Sequence, residues 1–574
     1  MSEKTNENLT DKKVGESGLK GDNVYKFSKN IDVLSAMANQ KFDEGDNFGA
    51  ISLCVESEKS GKLSPSLYAR AAAAYLDFGL YNESADYWLK YLNLVTERHF
   101  VTAYNGLGGV FYLAGRKELS GYYYNLQIQN AHDRELPYDD YMYDLFYEGE
   151  ENDFNKPNIK LVDEKRDKER SIIDVAKATF EKEPVIAEKM LELIPEDSVF
   201  YAETCVYRAI AALFGFDYAL AAEMFEKASE DKKQRKYALN SLLGVYCLIG
   251  DEQKEKEVFN KIKKENIPDC ENLFKFAALL CELRKYEKAY EFSCMMSELL
   301  PNDGNVYYMR AFTSYNVGKI EESSDLFYKF YALTGKYAAK YYRGIAEKCL
   351  RGAKTPKRLM FSYSLPDTQT EKVILSLTNL LNSSPDSLRR RIEKVLDTVE
   401  NAFATDNYDA QEVACLVLRE IGGEKVEKYL KKKLVTFEVR DDIKLMMISV
   451  LIQLGNDKLT GVVFSGVYSR VQFERAEFRG EKSSLFLNAY SVAFARLVPV
   501  CDDELYKIKT AAYDFYYKLC RNGGIKKVND TVNLAAAIAL ESGCDTGLKK
   551  SELIEYFTAS PRSVDRIAAL LKKE

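Results

Sequence analysis

The sequence predicts an all-α protein, an α-solenoid of helix–turn–helix repeats followed by a helical region of different spacing. Three observations lead to this fold class. Turn residues recur every 34 residues over four consecutive units. The 574 residues include only 12 prolines, which would interrupt helices. Apolar residues recur at the spacing of amphipathic helices within stretches of about 12 residues.

The repeat is clearest in the middle of the chain. Its turn residues are Phe216, Gly250, Arg284 and Gly318, each 34 residues after the one before. Small residues on the first helix and aromatic residues on the second allow the two helices to pack closely. The best units are 67–100, 202–235, 270–303 and 304–337.

These units resemble the tetratricopeptide repeat, whose pattern is W-x2-L-G-x2-Y, then A-x3-F, then P. The best matches are Ala221-x3-Phe225, Ala289 with Pro301, and Leu107-Gly108-x2-Phe111. Trp never occupies its usual position, but the period is kept. The resemblance covers most of 31–350 and implies a superhelix whose first helices line the concave side.

The remaining elements are assigned in chain order. A polar N-terminus is interpreted as a disordered tail. Residues 135–155 contain eight acids and no Lys or Arg. They either dock a basic partner or form a helix with a buried aromatic face and a solvated linker, which we favour. The predicted regions are a tail at 1–24, N-terminal repeats at 25–134, an acidic–aromatic and charged segment at 135–170, and a second array at 171–352.

The C-terminal third has a different spacing. A linker with a short apolar piece (353–370) precedes a region that resembles HEAT repeats (371–484), with second helices expected at 425–434 and 460–471. Residues 485–574 are expected to form five helices that cap the solenoid. Alternatively, their end resembles a helix-turn-helix in which Arg562, Ser563 and Arg566 contact nucleic acid. Residues 486–574 hold 13 basic and 11 acidic residues, which is little net charge for that role.

The composition argues against several functional classes. The net charge of −7 is unfavourable for a general polyanion binder. The 11 cysteines include no C-x-x-C pair, which favours free thiols in a reducing cytoplasm. His99 and His132 are too few for a metal cluster. Because no catalytic motif or membrane-spanning run is found, we expect a cytoplasmic protein without enzymatic activity, cofactor or metal.

The predicted binding face lies on the first helices. Asn and aromatic residues dominate there and Lys or Arg is nearly absent, which suits an extended or helical peptide rather than a terminal carboxylate. The alternative is that the aromatic residues pack inside a tightly wound superhelix. The residues expected to bind a peptide on this face are Asn105, Tyr112, Asn240, Tyr308, Phe312, Tyr315 and Asn316. Whether Asn105, Asn240 and Asn316 line one continuous open groove is the observation that would test this expectation.

The sequence therefore predicts a scaffold that binds a protein or peptide partner along the concave face of 31–350. One rival hypothesis is a peptide-sensing regulator whose C-terminal helices contact nucleic acid. A second rival is an enzyme that uses the C-terminal helices as a platform. The identity of the partner and the oligomeric state stay open.

Overall fold

The computed structural model describes residues 31–59, 61, 63–130, 164–180, 182–405, 407–437, 439–501 and 504–571. The predicted tail (1–24) and the acidic–aromatic stretch at 135–155 lie outside these residues. Within the described residues the chain is helical apart from one two-stranded hairpin. The all-α prediction is confirmed.

The N-terminal units form three helical hairpins. Each pairs a first helix with an antiparallel second helix, and a short 3₁₀ turn (Glu97–His99) precedes the third hairpin. The helices are α1 (Ile31–Asp43), α2 (Asn47–Glu58), α3 (Pro65–Leu76), α4 (Tyr81–Leu94), α5 (Phe100–Leu113) and α6 (Lys117–Asn130).

The second array continues the same arrangement. It starts with a helical hairpin at 164–191 and ends with an unpaired first helix. The helices are α7 (Glu164–Thr179), α8 (Pro184–Leu191), α9 (Tyr201–Phe214), α10 (Tyr218–Ala228), α11 (Arg235–Ile249), α12 (Glu252–Glu265), α13 (Cys270–Glu282), α14 (Tyr286–Leu299), α15 (Gly304–Asn316), α16 (Ile320–Thr334) and α17 (Tyr337–Leu350).

The hairpin turns confirm the 34-residue period. In seven of the described hairpins one turn residue adopts left-handed backbone angles, which glycine tolerates best. Phe216 and Arg284 adopt the same conformation (φ 60° and 59°) at the positions where the other units have Gly. The turn residues are Gly45, Gly79, Gly115, Phe216, Gly250, Arg284 and Gly318.

A recurring hydrogen bond joins the two helices of several hairpins. The Ser84 hydroxyl donates to the Ala72 carbonyl (2.6 Å), and Ser323 donates to Ala311 (2.7 Å). The third instance, Ser120 to Gly108, shows why the partner is small, since a Cβ on Gly108 would lie 2.6 Å from the Tyr124 ring. Small residues thus set the distance between paired helices.

The C-terminal region packs around a separate core of its own helices. Residues 351–366 are irregular and lead into it. Its elements are α18 (Asp367–Leu381), α19 (Pro385–Arg390), α20 (Ile392–Phe403), α21 (Tyr408–Ile421), α22 (Glu424–Lys433), α23 (Asp441–Gln453), β1 (Leu459–Phe464), β2 (Val467–Gln472), α24 (Ser483–Leu497), α25 (Tyr506–Arg521), a 3₁₀ turn (Gly524–Lys527), α26 (Thr531–Ser542), α27 (Lys550–Tyr556) and α28 (Pro561–Leu571).

One helix prediction in this region is wrong. Residues 460–471 were expected to form a second helix, but they form the antiparallel pair β1–β2, with Leu459 opposite Gln472. The strands are rich in β-branched residues, and both turn residues, Ser465 and Gly466, have positive φ (50° and 88°). That turn geometry favours a two-residue hairpin. The helix predicted at 425–434 and the five predicted within 485–574 are confirmed.

The N-terminal units fold back onto the end of the second array. The Tyr75 hydroxyl donates to the Leu333 carbonyl (2.8 Å), and the Gly304 N–H donates to the Phe78 carbonyl (2.8 Å). The β1–β2 hairpin also reaches these units, since Arg470 donates to the Leu92 and Val95 carbonyls at 2.9 Å each. The N-terminal units and α15–α17 consequently share one hydrophobic core.

Candidate peptide-binding groove

Four of the predicted site residues lie on one helix, α15. Tyr308, Phe312, Tyr315 and Asn316 are spaced so that they share one helix face. Asp303 caps the helix by accepting hydrogen bonds from the N–H groups of residues 305 and 306. Together with Phe274 on α13 and Tyr342 on α17, this face forms a groove on three successive first helices, which we call the strap groove.

The strap groove is occupied by the chain itself. Residues 354–365, which we call the strap, follow α17 and cross the groove without forming a helix or a strand. The chain bends at 357–358 and at 363–364, with no bend at 359–362 between them. Leu359 and Leu365 are buried, whereas Met360 is 86% exposed.

Asn316 binds the strap through its main chain. The Asn316 amide nitrogen donates to the Leu359 carbonyl (2.9 Å), and the Leu359 N–H donates to the Asn316 side-chain oxygen (2.7 Å). Asn316 is 0% exposed, so these bonds satisfy an amide that water cannot reach. This is recognition of an extended backbone by a side-chain amide.

Tyrosine hydroxyls bind three further carbonyls of the strap. Tyr308 donates to Ser362 (2.8 Å), Tyr315 to Pro356 (2.7 Å) and Tyr342 to Ser364 (3.2 Å). Burial raises the pKa of Tyr342 to about 12 and raises the pKa values of Tyr308 and Tyr315. All three hydroxyls therefore remain protonated donors at neutral pH.

Aromatic contacts fix the side chains of the strap. The Phe361 ring lies edge-on to Phe274 (centroids 4.8 Å apart) and to Phe312 (5.1 Å). Tyr363 stacks on Tyr308 at 5.1 Å. Such pairs add to the stabilisation from buried apolar area, so the groove recognises side chains as well as backbone.

The remaining predicted site residues lie elsewhere. Asn240, on α11, is buried and joins neighbouring units, since it donates to the Ile267 carbonyl (2.8 Å) and accepts from the Asp269 N–H (3.0 Å). Asn105 and Tyr112, on α5 of the N-terminal units, are exposed.

Asn105, Asn240 and Asn316 therefore do not line one continuous open groove. Asn240 and Asn316 are both 0% exposed, because an inter-unit loop covers the first and the strap covers the second. Partner binding by the seven predicted residues stays a prediction.

Sequence reasoning missed the role of the strap, which it interpreted as a linker with a short apolar piece. A signal was present in the alternation of Leu359, Phe361, Tyr363 and Leu365 with less apolar or more exposed neighbours. A period of two marks an extended segment with one apolar face. The pattern does not indicate which surface of the protein the apolar face of the segment contacts.

A polar cavity of about 810 Å³ lies where the N-terminal units meet α16, α17 and the C-terminal helices. Its charges are largely paired, between these parts in Lys336 with Glu83 (2.5 Å) and within the C-terminal helices in Lys433 with Glu400 (2.9 Å). Because opposite charges pair in the cavity, the net electrostatic attraction that it offers a charged ligand is small. The cavity is thus better explained as a polar junction than as a binding site.

At the edge of this cavity Glu58 is a buried carboxylate. Burial alone would raise its pKa, but the ammonium groups of Lys90 and Lys432 and the Tyr68 hydroxyl lower the pKa to about 2. Lys90 lies 3.0 Å from one carboxylate oxygen, and Tyr68 donates to the other at 2.9 Å. Glu58 is therefore ionised at neutral pH and holds the junction together.

The described residues offer little for catalysis. Burial raises the pKa values of Cys54, Cys247 and Cys415 to about 12, which keeps these thiols protonated. No group of acidic, His and Cys residues able to hold a metal is found within the described part of the chain. None of the described helices is both long and apolar enough to cross a membrane.

The residues of the nucleic-acid hypothesis lie on α28. Arg562 and Arg566 are exposed one turn apart, with Ser563 between them half-buried. Asp565 lies on the same exposed side and pairs with Lys550 (2.9 Å). This neighbouring carboxylate weakens the positive potential of the turn, and nucleic-acid contact there stays a prediction.

No protein-family model matches the chain, and no curated protein matches its sequence. Among solved structures, the TPR domain of P58(IPK) is 13% identical over 56% of this chain and 89% of that chain, with a TM-score of 0.21. Yeast Tom70 is 14% identical over 94% and 96%, with a TM-score of 0.20.

The architecture follows from the repeat geometry of the structure itself. Antiparallel helix pairs recur with the 34-residue period, a left-handed turn residue and small residues at the close approach of the helices. By the geometry of its hairpins, the described part of 31–350 is an α-solenoid of antiparallel helix pairs.

Proposed function

We propose that the protein is a cytoplasmic, non-enzymatic scaffold that binds an extended segment of a partner protein on the concave face of its repeat array. The observation that carries this proposal is the strap groove, which holds a length of extended polypeptide. Its contacts come from the predicted residues Tyr308, Phe312, Tyr315 and Asn316, and the groove needs neither cofactor nor metal for them.

The chemistry of the groove suits peptide recognition in general. Asn316 and the three tyrosine hydroxyls bind main-chain groups, which every peptide offers. Phe274, Phe312 and Tyr308 contact alternate side chains, which supply selectivity. A partner that uses this groove must present an extended segment in place of the strap.

The N-terminal units offer a second part of the same face. Asn105 and Tyr112 project from α5, where the described residues include no strap-like segment that buries them. A long partner segment is proposed to contact these residues as well, with the Asn105 amide available for backbone hydrogen bonds.

Site-specific photocrosslinking in cells tests the proposal. A benzophenone amino acid replaces Tyr112 or Phe274 on the concave side, and Tyr328 on the second helix α16 serves as the exposed control. We expect one partner to crosslink at the concave positions through a segment of its chain identified by mass spectrometry. Equal crosslinking of that partner at position 328, or none at 112 and 274, would contradict the proposal.

A further inference from the structure

The strap differs from an ordinary connecting segment in its hydrogen bonds. Residues 354–364 make no main-chain to main-chain hydrogen bond with any described residue. Their main-chain bonds are instead made by side chains of the groove, chiefly Asn316, Tyr308 and Tyr315. Bound peptides are held in the same way, so the middle of the strap depends on the groove rather than on secondary structure.

The ends of the strap are fixed independently of the groove. At one end the Ala353 N–H donates to the Lys348 carbonyl (3.0 Å), and Gly352 turns with φ +74°. At the other end the Leu365 N–H donates to the Ala404 carbonyl (3.2 Å), just before α18 begins. The middle can therefore leave the groove without unfolding α17 or α18.

One edge of the strap is open to solvent. Pro356, Lys357, Arg358 and Met360 are exposed, and Tyr363 is half-exposed although it stacks on Tyr308. A competing segment can therefore approach the groove along this edge. The inward residues Leu359, Phe361 and Tyr363 specify the side chains that the groove accepts.

We propose that the strap is an internal ligand of the groove, which the partner must displace with a segment of the same chemistry. That segment is extended and carries an aliphatic residue followed, at the second and fourth positions, by aromatic residues. The inference rests on the proposed function and adds to it the class of partner segment and the regulation of the site.

The strap and an added peptide compete for the same groove. A tethered ligand has an effective concentration in the millimolar range, so it lowers the apparent affinity for the same sequence supplied separately. That affinity falls in proportion to the fraction of molecules whose groove is open. Weakening the strap must therefore tighten binding of an added peptide, whereas damage to the groove must weaken it.

The test uses the full chain and a fluorescent synthetic peptide of residues 354–366, with binding measured by fluorescence anisotropy. The double variant Leu359→Ser, Phe361→Ser weakens the strap, and Met360→Ser is the matched control at an exposed strap position. We expect the double variant to bind the peptide at least tenfold more tightly than the original chain. The control should bind like the original, and Asn316→Ala added to the double variant should abolish the gain.

The outcomes separate the two proposals. A folded double variant that binds no peptide would overturn the proposed function, because the groove then accepts no segment in trans. Equal binding by the original chain and the double variant would leave the function standing and overturn the internal ligand. A wild-type dimer held by exchanged straps, seen by light scattering, would assign the groove to a second copy instead.

Hydrogen–deuterium exchange on the unaltered chain covers the case in which the double variant does not fold. Excess peptide should speed exchange of the Leu359 amide, which Asn316 otherwise protects, and leave the amides of α3 unchanged. Unchanged exchange at Leu359 under excess peptide would overturn the proposal.

Discussion

Tyr112 and Tyr315 occupy the same repeat position, three residues before the left-handed turn residue of their hairpins, Gly115 and Gly318. Tyr112 is 39% exposed and Tyr315 is 2% exposed. The hairpins themselves are alike, since both carry the Ser bond between paired helices. The difference arises from the strap, which covers α15 but not α5.

The comparison shows what the position of a residue within its repeat does and does not determine. It sets which face of a first helix points to the concave side. It does not set whether that face is free, because a segment from outside the repeat can cover it. Four predictions test this difference, from the largest expected effect to the smallest.

The largest effect is expected at Phe312, whose ring contacts Phe327 (5.0 Å), Tyr342 (4.7 Å) and Phe361 of the strap. Phe312→Ala should lower the free energy of unfolding by about 3–5 kcal/mol, because it leaves a cavity in a closed core. Chemical denaturation measures the loss. Tyr112→Ala, on the open side, should change stability by less than about 0.5 kcal/mol.

The second prediction concerns Glu58. The described N-terminal units have no strap, and this buried carboxylate helps to hold them at the junction with the rest of the protein. Its pKa of about 2 lies below the usual 4.5, so its ionised form stabilises the fold above pH 4.5 and the contribution fades as the pH falls toward 2. Glu58→Gln should cost on the order of 3 kcal/mol at pH 7 and much less at pH 3.

Chemical denaturation of the original chain and of the Glu58→Gln variant from pH 7 to pH 3 measures the difference between their free energies of unfolding. A gap that stayed constant from pH 7 to pH 3 would contradict the role of the carboxylate charge. Glu56→Gln removes the half-buried pair partner of Lys59 near the end of the same helix and is the control, which should show a smaller effect than Glu58→Gln at pH 7.

The third prediction compares Asn316 with Leu113, its equivalent two residues before the turn residue of the α5–α6 hairpin. Asn316→Ala removes both hydrogen bonds to Leu359 and should cost about 1–3 kcal/mol. Leu113→Ala, at an exposed position, should be nearly neutral. Thermal unfolding reports both changes, and similar losses would refute the comparison.

The smallest effect is expected from a single hydroxyl. Tyr315→Phe removes the bond to the Pro356 carbonyl (2.7 Å) and should cost about 1 kcal/mol. Tyr112→Phe, at a position that is 39% exposed, should cost less. Hydrogen exchange of the strap should rise in the first variant only, and a rise in both would argue against a local effect.

Much of the fold could be predicted from the sequence because its signals are local. The 34-residue period, the turn residues and the amphipathic stretches each depend on residues within one hairpin, and the helices follow them. The β1–β2 hairpin was missed because the neighbouring helical spacing was extended through residues 460–471. Their β-branched residues and the Ser465–Gly466 turn carried a local signal for strands.

The site was predicted in its chemistry but not in its accessibility. Asn316 bonds the main chain of Leu359 and Phe312 contacts the Phe361 ring, whereas contact of these two residues with a partner stays a prediction. The bound segment belongs to the same chain, and burial of this kind depends on contacts between distant parts of the sequence. Asn240 was misassigned for a related reason, since its amide bonds the next loop.

The contact between Tyr75 and Leu333, together with that between Arg470 and Leu92, has a consequence for how the molecule melts. A linear array unfolds in steps, because each repeat touches only its neighbours and its ends fray first. Here the first repeats are anchored to the last ones and to the C-terminal helices, so the array has no loose N-terminal end among its described units. Loss of the first repeats or of α15–α17 would undo contacts hundreds of residues away, and heat should unfold these parts together in one cooperative transition.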